Sequence, residues 1–148
     1  MAIKQAYNRA FERIERIQVA PLARISLFLI YFWFGAVKLT GLSQATPLAR
    51  ALTESTIGGQ FFATSFMTLA VIECLIGLMF LVPKLTRITV VLALLHMIVV
   101  CSPLLLVPVL SWQAFMIPTI EGQYIIKNLA LVSLMLVVLT SSGDRQKS

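Results

Sequence analysis

The sequence predicts an all-α integral membrane protein, a four-transmembrane-helix bundle with an N-terminal interfacial amphipathic helix. Of the 148 residues, 59% are hydrophobic and only 12% are charged, and the mean hydropathy is +0.92. A soluble domain is about half apolar and about a quarter charged. The apolar residues also form continuous runs, which favours helices because the strands of a membrane barrel alternate apolar and polar residues.

Four apolar runs are long enough to cross a hydrocarbon core, which takes about 20 helical residues. They extend from about Leu22 to Leu42, from Phe61 to Val82, from Leu85 to Leu106 and from Gly122 to Thr140. Pro83 ends the second run, and Pro103 is expected to kink or end the third, since proline disrupts helical hydrogen bonding. Residues 21–141 are therefore predicted to form the membrane domain.

The N-terminal segment, residues 1–20, is predicted to be a separate element. Apolar residues recur at helical spacing between residues 3 and 17, with arginines and glutamates around the rest of the wheel. This pattern is typical of a basic amphipathic helix on a membrane surface. The alternative is a cytoplasmic cap packed on the bundle. Residues 142–148 are predicted to be a cytoplasmic tail.

The distribution of basic residues predicts the orientation. Lysines and arginines are concentrated before the first run, between the second and third runs and in the tail, whereas the loop between the third and fourth runs has none. The positive-inside rule then places both termini in the cytoplasm. The first outer loop is expected to hold a short helix beginning near Pro47. The second is expected to lie at the outer interface, with Trp112 at headgroup depth.

Ionisable residues within the apolar runs are the candidates for function, because they are costly in hydrocarbon and normally face the bundle interior, a partner or water. Lys38 lies near the outer end of the first run, on the face that also carries Arg24 and Tyr31. Glu73 and His96 both fall near mid-membrane, so a hydrogen bond between them is plausible. The alternatives are a Lys38 that reaches the headgroups, and a Glu73 and a His96 that serve only structure.

The fourth run opens with an unusually polar segment, TIEGQYIIKNL, at residues 119–129. Glu121, Tyr124 and Asn128 share one helical face, with Lys127 about 60° away. We expect this face to turn inward in the layer of Lys38, with Glu121 as the nearest anion for the two lysines. The predicted polar pocket therefore has Glu73 and His96 as its floor and contains Lys38, Glu121, Tyr124, Lys127 and Asn128.

Other site chemistries find little support in the sequence. His96 is the only histidine, and no HxxxH or HExxH motif occurs, so no metal site is predicted. Cys74 and Cys101 lie inside apolar runs without a CxxC motif and are expected to be small buried residues. Nothing in the chain matches a nucleic-acid-binding module, and no catalytic motif or intrinsic cofactor site is evident.

Three motifs, FWFGAVKLTG, ECLIGLMFLVPKLTR and IEGQYIIKNLALVSL, resemble the DoxX-like superfamily of small bacterial membrane proteins. The similarity is to the DoxX/DoxD branch and the neighbouring YkgB-type branch, and it spans roughly residues 22–140. It implies a four-helix bundle in the bacterial inner membrane. Some relatives are linked to quinone-dependent thiosulfate oxidation and others to oxidative stress. At matching positions this chain has Lys38, Glu73, Glu121, Tyr124, Lys127 and Asn128.

Three functions follow as hypotheses. The first is a redox-associated, quinone-linked subunit whose polar pocket binds a quinone headgroup or a small anion. The second is a structural or accessory subunit of a larger membrane complex, in which the polar layer holds helices together. The third is a proton or small-solute transporter, to which four short spans without inverted repeats are poorly suited. The expected partners are the lipid bilayer and other membrane subunits or further copies of the chain, and not nucleic acid.

Overall fold

The computed structural model describes residues 19–144, with the side chains of residues 143 and 144 excepted. The predicted N-terminal amphipathic helix and all but the first residues of the predicted tail lie outside these residues. The described part is a bundle of long helices with short helices and a small hairpin between them. The long helices are α1 (Val19–Leu39), α3 (Phe62–Phe80), α4 (Thr86–Cys101) and α7 (Ile120–Asp144).

Short elements connect the long helices. Helix α2 (Thr46–Thr56) follows α1, and 3₁₀ turns at Gly59–Phe61 and Pro83–Leu85 lead into α3 and α4. After α4 come α5 (Pro103–Leu106) and α6 (Pro108–Ser111). The antiparallel strands β1 (Trp112–Ala114) and β2 (Ile117–Pro118) then form a hairpin before α7. Within residues 19–144 this hairpin is the one departure from the predicted all-helical class, and the apolar loop bounded by prolines gave no signal for it.

The described residues contain four helical segments long and apolar enough to cross a membrane: Val19–Leu39, Gly59–Phe80, Pro83–Leu106 and Ile120–Ser142. Each overlaps one predicted span. Prolines mark the boundaries as expected, since Pro47 and Pro103 occupy the first turns of α2 and α5, where a missing N–H costs nothing. Large apolar side chains such as Trp33, Leu75 and Ile98 are exposed around the bundle, as a lipid-facing surface requires. The chain is therefore described as a multi-pass membrane protein.

The core runs along the centre of the bundle. It contains the fully buried side chains of Leu27, Ile76, Phe80, Val90 and Met135. Helix α1 packs most extensively on α3, and α7 packs on both α1 and α4. The ends of the bundle differ in their polar contacts and are named here the Arg24 end and the Lys38 end, after the two cations of α1.

At the Arg24 end, one guanidinium joins four helices. Arg24 donates to the Phe80 carbonyl oxygen at 3.2 Å, to Thr86 Oγ1 at 2.5 Å and to Ser142 Oγ at 2.8 Å. These acceptors belong to the end of α3, the start of α4 and the end of α7. The forked guanidinium therefore ties the ends of three helices to α1.

Arg24→Lys is expected to lower the free energy of unfolding by about 1–2 kcal/mol, because a single ammonium cannot reproduce the forked contacts and hydrogen bonds to charged groups are worth about 1.5–3 kcal/mol. The measurement is denaturant unfolding in mixed micelles, followed by tryptophan fluorescence. Lys84→Met, which removes an exposed cation from the same end, should change the midpoint little. Equal effects of the two variants would contradict this role of Arg24.

Candidate functional site

Two glycines bring α1 and α3 into close contact near the candidate site. A Cβ atom at Gly35 would lie 2.7 Å from the Ala70 carbonyl oxygen, and one at Gly77 would lie 2.7 Å from the Phe32 backbone nitrogen. Neither position can hold a larger residue without a shift of backbone. A glycine permits such an approach because it has no side chain. The short distance between the helices places the side chains of Lys38 and Glu73 within reach of each other.

Lys38, Glu73 and His96 form a hydrogen-bonded trio inside the bundle. Lys38 Nζ donates to Glu73 Oε1 and Oε2 at 2.6 and 2.5 Å, and His96 Nε2 lies 3.0 Å from Glu73 Oε1. The three side chains are at most 10% exposed. The carboxylate of α3 thus joins a cation of α1 to an imidazole of α4. The predicted contact between Glu73 and His96 is confirmed.

The imidazole of His96 has one satisfied and one unsatisfied nitrogen. Its ring packs against Tyr31 with centroids 5.4 Å apart, and the Tyr31 hydroxyl donates a long 3.5 Å bond to the Ala93 carbonyl oxygen. Among the described side chains, His96 Nδ1 is the one buried nitrogen or oxygen without a hydrogen-bond partner. A buried polar atom of this kind normally has a partner in protein or water, so the hydrogen-bonding capacity of Nδ1 is unused in this structure.

A cavity of about 160 Å³ lies beside the trio, and Lys38, Glu73 and His96 all line it. Most of the other lining side chains are apolar. Helix α2 covers the cavity at the Lys38 end with Leu48, Ala49 and Leu52. Ala45, just before α2, also lines the cavity. The other lining residues come from the long helices and from α5, and they include Ile30, Tyr31, Phe34, Leu69, Met97, Pro103, Asn128 and Leu131. The site is therefore an apolar chamber with one charged wall.

Of the four predicted site residues on the fourth span, the structure brings one to the cavity. Asn128 is half-buried and lines it, whereas Glu121, Tyr124 and Lys127 are exposed on the outside of α7. Tyr124 is 64% exposed. The prediction that Glu121 and Tyr124 face the bundle interior is therefore wrong, and so is the inclusion of Lys127 in the pocket.

Helix α7 is rotated about its axis relative to the prediction, and the cause lies in its first turn. A Cβ atom at Gly122 would lie 2.1 Å from the Ser111 carbonyl oxygen, so the backbone of α7 touches that of α6 here. Thr119 Oγ1 accepts from the Gly122 N–H at 3.0 Å and caps the helix. With Gly122 and Ile125 turned inward, Glu121 and Tyr124 point to the other flank. The acid in the first turn also favours the positive end of the helix dipole.

The partner predicted for Lys38 was also wrong. Lys38 pairs with Glu73, whereas Glu121 lies exposed on the outside of α7. Helix α1 ends at Leu39, earlier than the predicted Leu42, with Gly41 in a left-handed turn at φ 75°. Glu73 lies eleven residues along α3 from Phe62, or about 16 Å at 1.5 Å per residue. The early end of α1 therefore lies deep beside α3, and α2 occupies the space above it.

Sequence reasoning missed the other contributors to the cavity. Tyr31 shares the predicted face of Lys38 two turns away, and it is only 3% exposed. That shared face was a signal that could have placed Tyr31 in the site. The α2 residues that cover the cavity were harder to predict from the sequence. A short helix was expected in this loop, but its depth in the bundle was not.

Within residues 19–144, no group of three or more His, Cys, Asp or Glu side chains could hold a metal ion. Comparison with protein-family models, with curated proteins and with solved structures found no match. The DoxX-like resemblance therefore stays a hypothesis based on short motifs, and the argument for function rests on the geometry of the site.

Proposed function

We propose that this chain is a DoxX-like protein of the bacterial inner membrane that binds a lipid-soluble ring compound of the quinone class in the cavity beside Glu73 and His96. Both termini would lie in the cytoplasm, so the Lys38 end faces the outside, in keeping with the positive-inside rule. Its role would be that of a redox-associated subunit that receives or presents a quinol. The observation that carries the proposal is the buried, unpartnered Nδ1 of His96, a residue that lines a small apolar cavity.

The hydrogen-bond network favours the hydroxylated form of such a ligand. Lys38 holds two short contacts to the Glu73 carboxyl group, as expected for an ionised carboxylate, which only accepts hydrogen bonds. His96 Nε2 then carries the hydrogen that it donates to Glu73 Oε1. In the neutral imidazole Nδ1 is left as an acceptor. A quinol hydroxyl can donate to this atom, whereas a quinone carbonyl cannot.

The size and lining of the cavity support a single ring. An engineered apolar cavity of about 150 Å³ in another protein holds benzene, and the volume beside the trio is about 160 Å³. Phe34 lines the cavity and is also 57% exposed on the outside of the bundle. A ligand tail could therefore leave beside Phe34 into lipid while the ring stays beside His96.

The trio also suits the chemistry of a quinol. Proton transfer needs a base within hydrogen-bond reach of the reacting hydroxyl, and His96 Nδ1 supplies it. The positive charge that His96 gains on accepting a proton would be stabilised by Glu73 at 3.0 Å. In this proposal the described side chains bind the ring and hold one proton of the quinol at His96 Nδ1.

The test is binding of a short-tailed ubiquinol and its oxidised quinone to the full chain in nanodiscs, measured anaerobically by calorimetry. We expect the quinol to bind at least about tenfold more tightly than the quinone, since a site built around a hydrogen bond rejects the analogue that cannot make it. His96→Phe should remove this preference and weaken binding. Lys127→Met and Glu121→Gln, which change exposed residues outside the cavity, should leave binding unchanged.

Two results would contradict the proposal. One is a quinone that binds as tightly as the quinol to the unaltered chain. The other is a His96→Phe protein, shown to be folded by circular dichroism and by an unchanged elution volume, that binds the quinol as the unaltered chain does.

The second candidate is a structural or accessory subunit without a ligand. It is favoured by the way in which Glu73 joins α1, α3 and α4 through side chains that are almost fully buried. In that case the chain would copurify with a larger membrane complex. The His96→Phe chain would sustain that complex as well as the unaltered chain does, without any bound quinol.

A further inference from the structure

The first two turns of α7 carry a polar surface on the outside of the bundle. Glu121, Tyr124 and Lys127 are all exposed there and follow each other at intervals of three residues. They are named here the α7 ridge. Most of the remaining exposed surface of the long helices is apolar, as lipid requires. The α7 ridge lies at the start of a segment that is long and apolar enough to cross a membrane, where charges that face lipid are costly, so its two charges need an explanation that the cavity does not provide.

Neither charge of the α7 ridge has an ionic partner within the described part of the chain. Lys127 Nζ lies 4.8 Å from the centroid of the Tyr124 ring, so the lysine side chain extends toward the start of α7, where Glu121 lies. The α7 ridge thus has the Lys127 ammonium near the Tyr124 ring, and the Glu121 carboxylate lies about one turn closer to the start of the helix.

This arrangement of charges fits a second copy of the same chain. In a two-fold symmetric contact the same patch lies on both sides, so the patch must be complementary to itself. A patch of one sign would repel its copy, whereas the α7 ridge carries both signs. With the axis along the membrane normal, the two α7 helices run side by side at equal depth. Lys127 of each copy, extended toward the start of α7, then approaches Glu121 of the other.

The surface next to the ridge can accept a helix. Ala130 and Ser133 are exposed on the following turns of α7, and small residues allow two helices in a membrane to pack closely. Leu129, which is 71% exposed, adds apolar area. Helix α7 thus carries both charges of the ridge at the Lys38 end and small exposed side chains on the turns that follow.

We propose that the α7 ridge is the contact surface between two copies of this chain in the membrane, with Lys127 of each copy paired with Glu121 of the other. The dimer does not depend on ligand binding in the cavity, since none of the three ridge residues lines it.

The experiment is a charge swap on the full chain in lipid. Donor- and acceptor-labelled copies are mixed in liposomes at a series of protein-to-lipid ratios, and energy transfer gives the dimer dissociation constant. We expect Glu121→Lys and Lys127→Glu, each alone, to raise this constant by roughly tenfold or more, because like charges then face each other. The double variant Glu121→Lys/Lys127→Glu should return to within about threefold of the unaltered chain. Lys84→Glu, which reverses an exposed charge at the Arg24 end, is the matched control and should have no effect.

Several outcomes would overturn the proposal. They are an unaltered chain that stays monomeric at every ratio, single variants that dimerise as well as the unaltered chain, and a double variant as weak as the single ones. A monomeric chain that copurifies with another membrane protein through the α7 ridge would assign the surface to that partner instead. Lys127→Met and Glu121→Gln, which add no charge, keep the test valid if a reversal prevents folding, and each should weaken the dimer by a smaller factor.

Discussion

Lys38→Met alone is expected to lower the free energy of unfolding by about 3–5 kcal/mol, the usual loss when one partner of a buried ion pair is removed. The carboxylate of Glu73 is only 4% exposed and has both of its oxygen atoms on Lys38 Nζ. Without the ammonium, Glu73 would keep its charge with only His96 beside it, or would take up a proton. Both outcomes forfeit the contacts that the folded chain makes.

Replacement of the whole trio is expected to behave differently. Buried ionic sets that are exchanged for apolar residues of similar volume often leave a protein as stable as before, or more stable. The triple variant Lys38→Met/Glu73→Leu/His96→Phe should therefore recover most of the stability that the single variant loses. The double variant Lys38→Met/Glu73→Leu, which keeps His96, should recover less stability, because it leaves both imidazole nitrogens without partners.

The measurement is reversible unfolding in mixed micelles, with the lipid and detergent composition held constant. Lys84→Met is the matched control, since it removes a lysine from an exposed position. A triple variant as unstable as Lys38→Met would mean that the ionic set contributes stability that apolar packing cannot replace. That result would favour the structural function over the ligand site.

A stable triple variant that no longer binds quinol would separate stability from function. In that case the trio lowers or barely changes the stability of the bundle, and the ligand is the reason for three ionisable groups in its interior. The unpartnered Nδ1 of His96 points the same way, because a purely structural network is expected to satisfy all of its polar atoms.

The sequence was sufficient for the spans and for one contact of the site. Continuous apolar runs and prolines predicted the four long helices, because length and hydropathy decide whether a helix can cross a membrane. Glu73 and His96 were expected to meet because both lie at the middle of their runs, and they do so at 3.0 Å. Counting residues from the ends of an apolar run estimates the depth of a side chain in the membrane. The estimate is best at the middle of a span, where an error of a few residues at either end matters least.

The same counting failed at the ends of the spans. Lys38 was assigned to the layer of Glu121, but α1 ends three residues before the predicted boundary and α2 fills the space above it. The rotation of α7 depends on one backbone contact between Gly122 and Ser111, two residues that lie in different elements. A helical wheel shows which residues share a face, but the packing of a neighbouring element decides which face turns inward.

Gly77→Val is expected to disrupt the site from a position outside the trio. A Cβ atom at Gly77 would already lie 2.7 Å from the Phe32 nitrogen and 3.1 Å from its Cα, and valine adds two further methyl groups. The backbone of α1 would have to move away from α3, since overpacking of this kind costs about 1–3 kcal/mol. The movement would also lengthen the contact between Lys38 and Glu73, so the total loss should exceed the packing term alone.

The size of the added side chain should grade the effect. Gly77→Ala forces a smaller shift and is expected to lie between the unaltered chain and Gly77→Val, in unfolding midpoint and in quinol affinity alike. Ala63→Val, at an exposed position of the same helix, is the control and should change neither. If Gly77→Val lowers stability and the quinol affinity stays the same, the spacing of α1 and α3 does not determine the geometry of the site. If stability and quinol affinity fall together, the close packing at Gly35 and Gly77 is what keeps Lys38 in contact with Glu73. The FGAVK segment of α1 is then explained by its packing against α3.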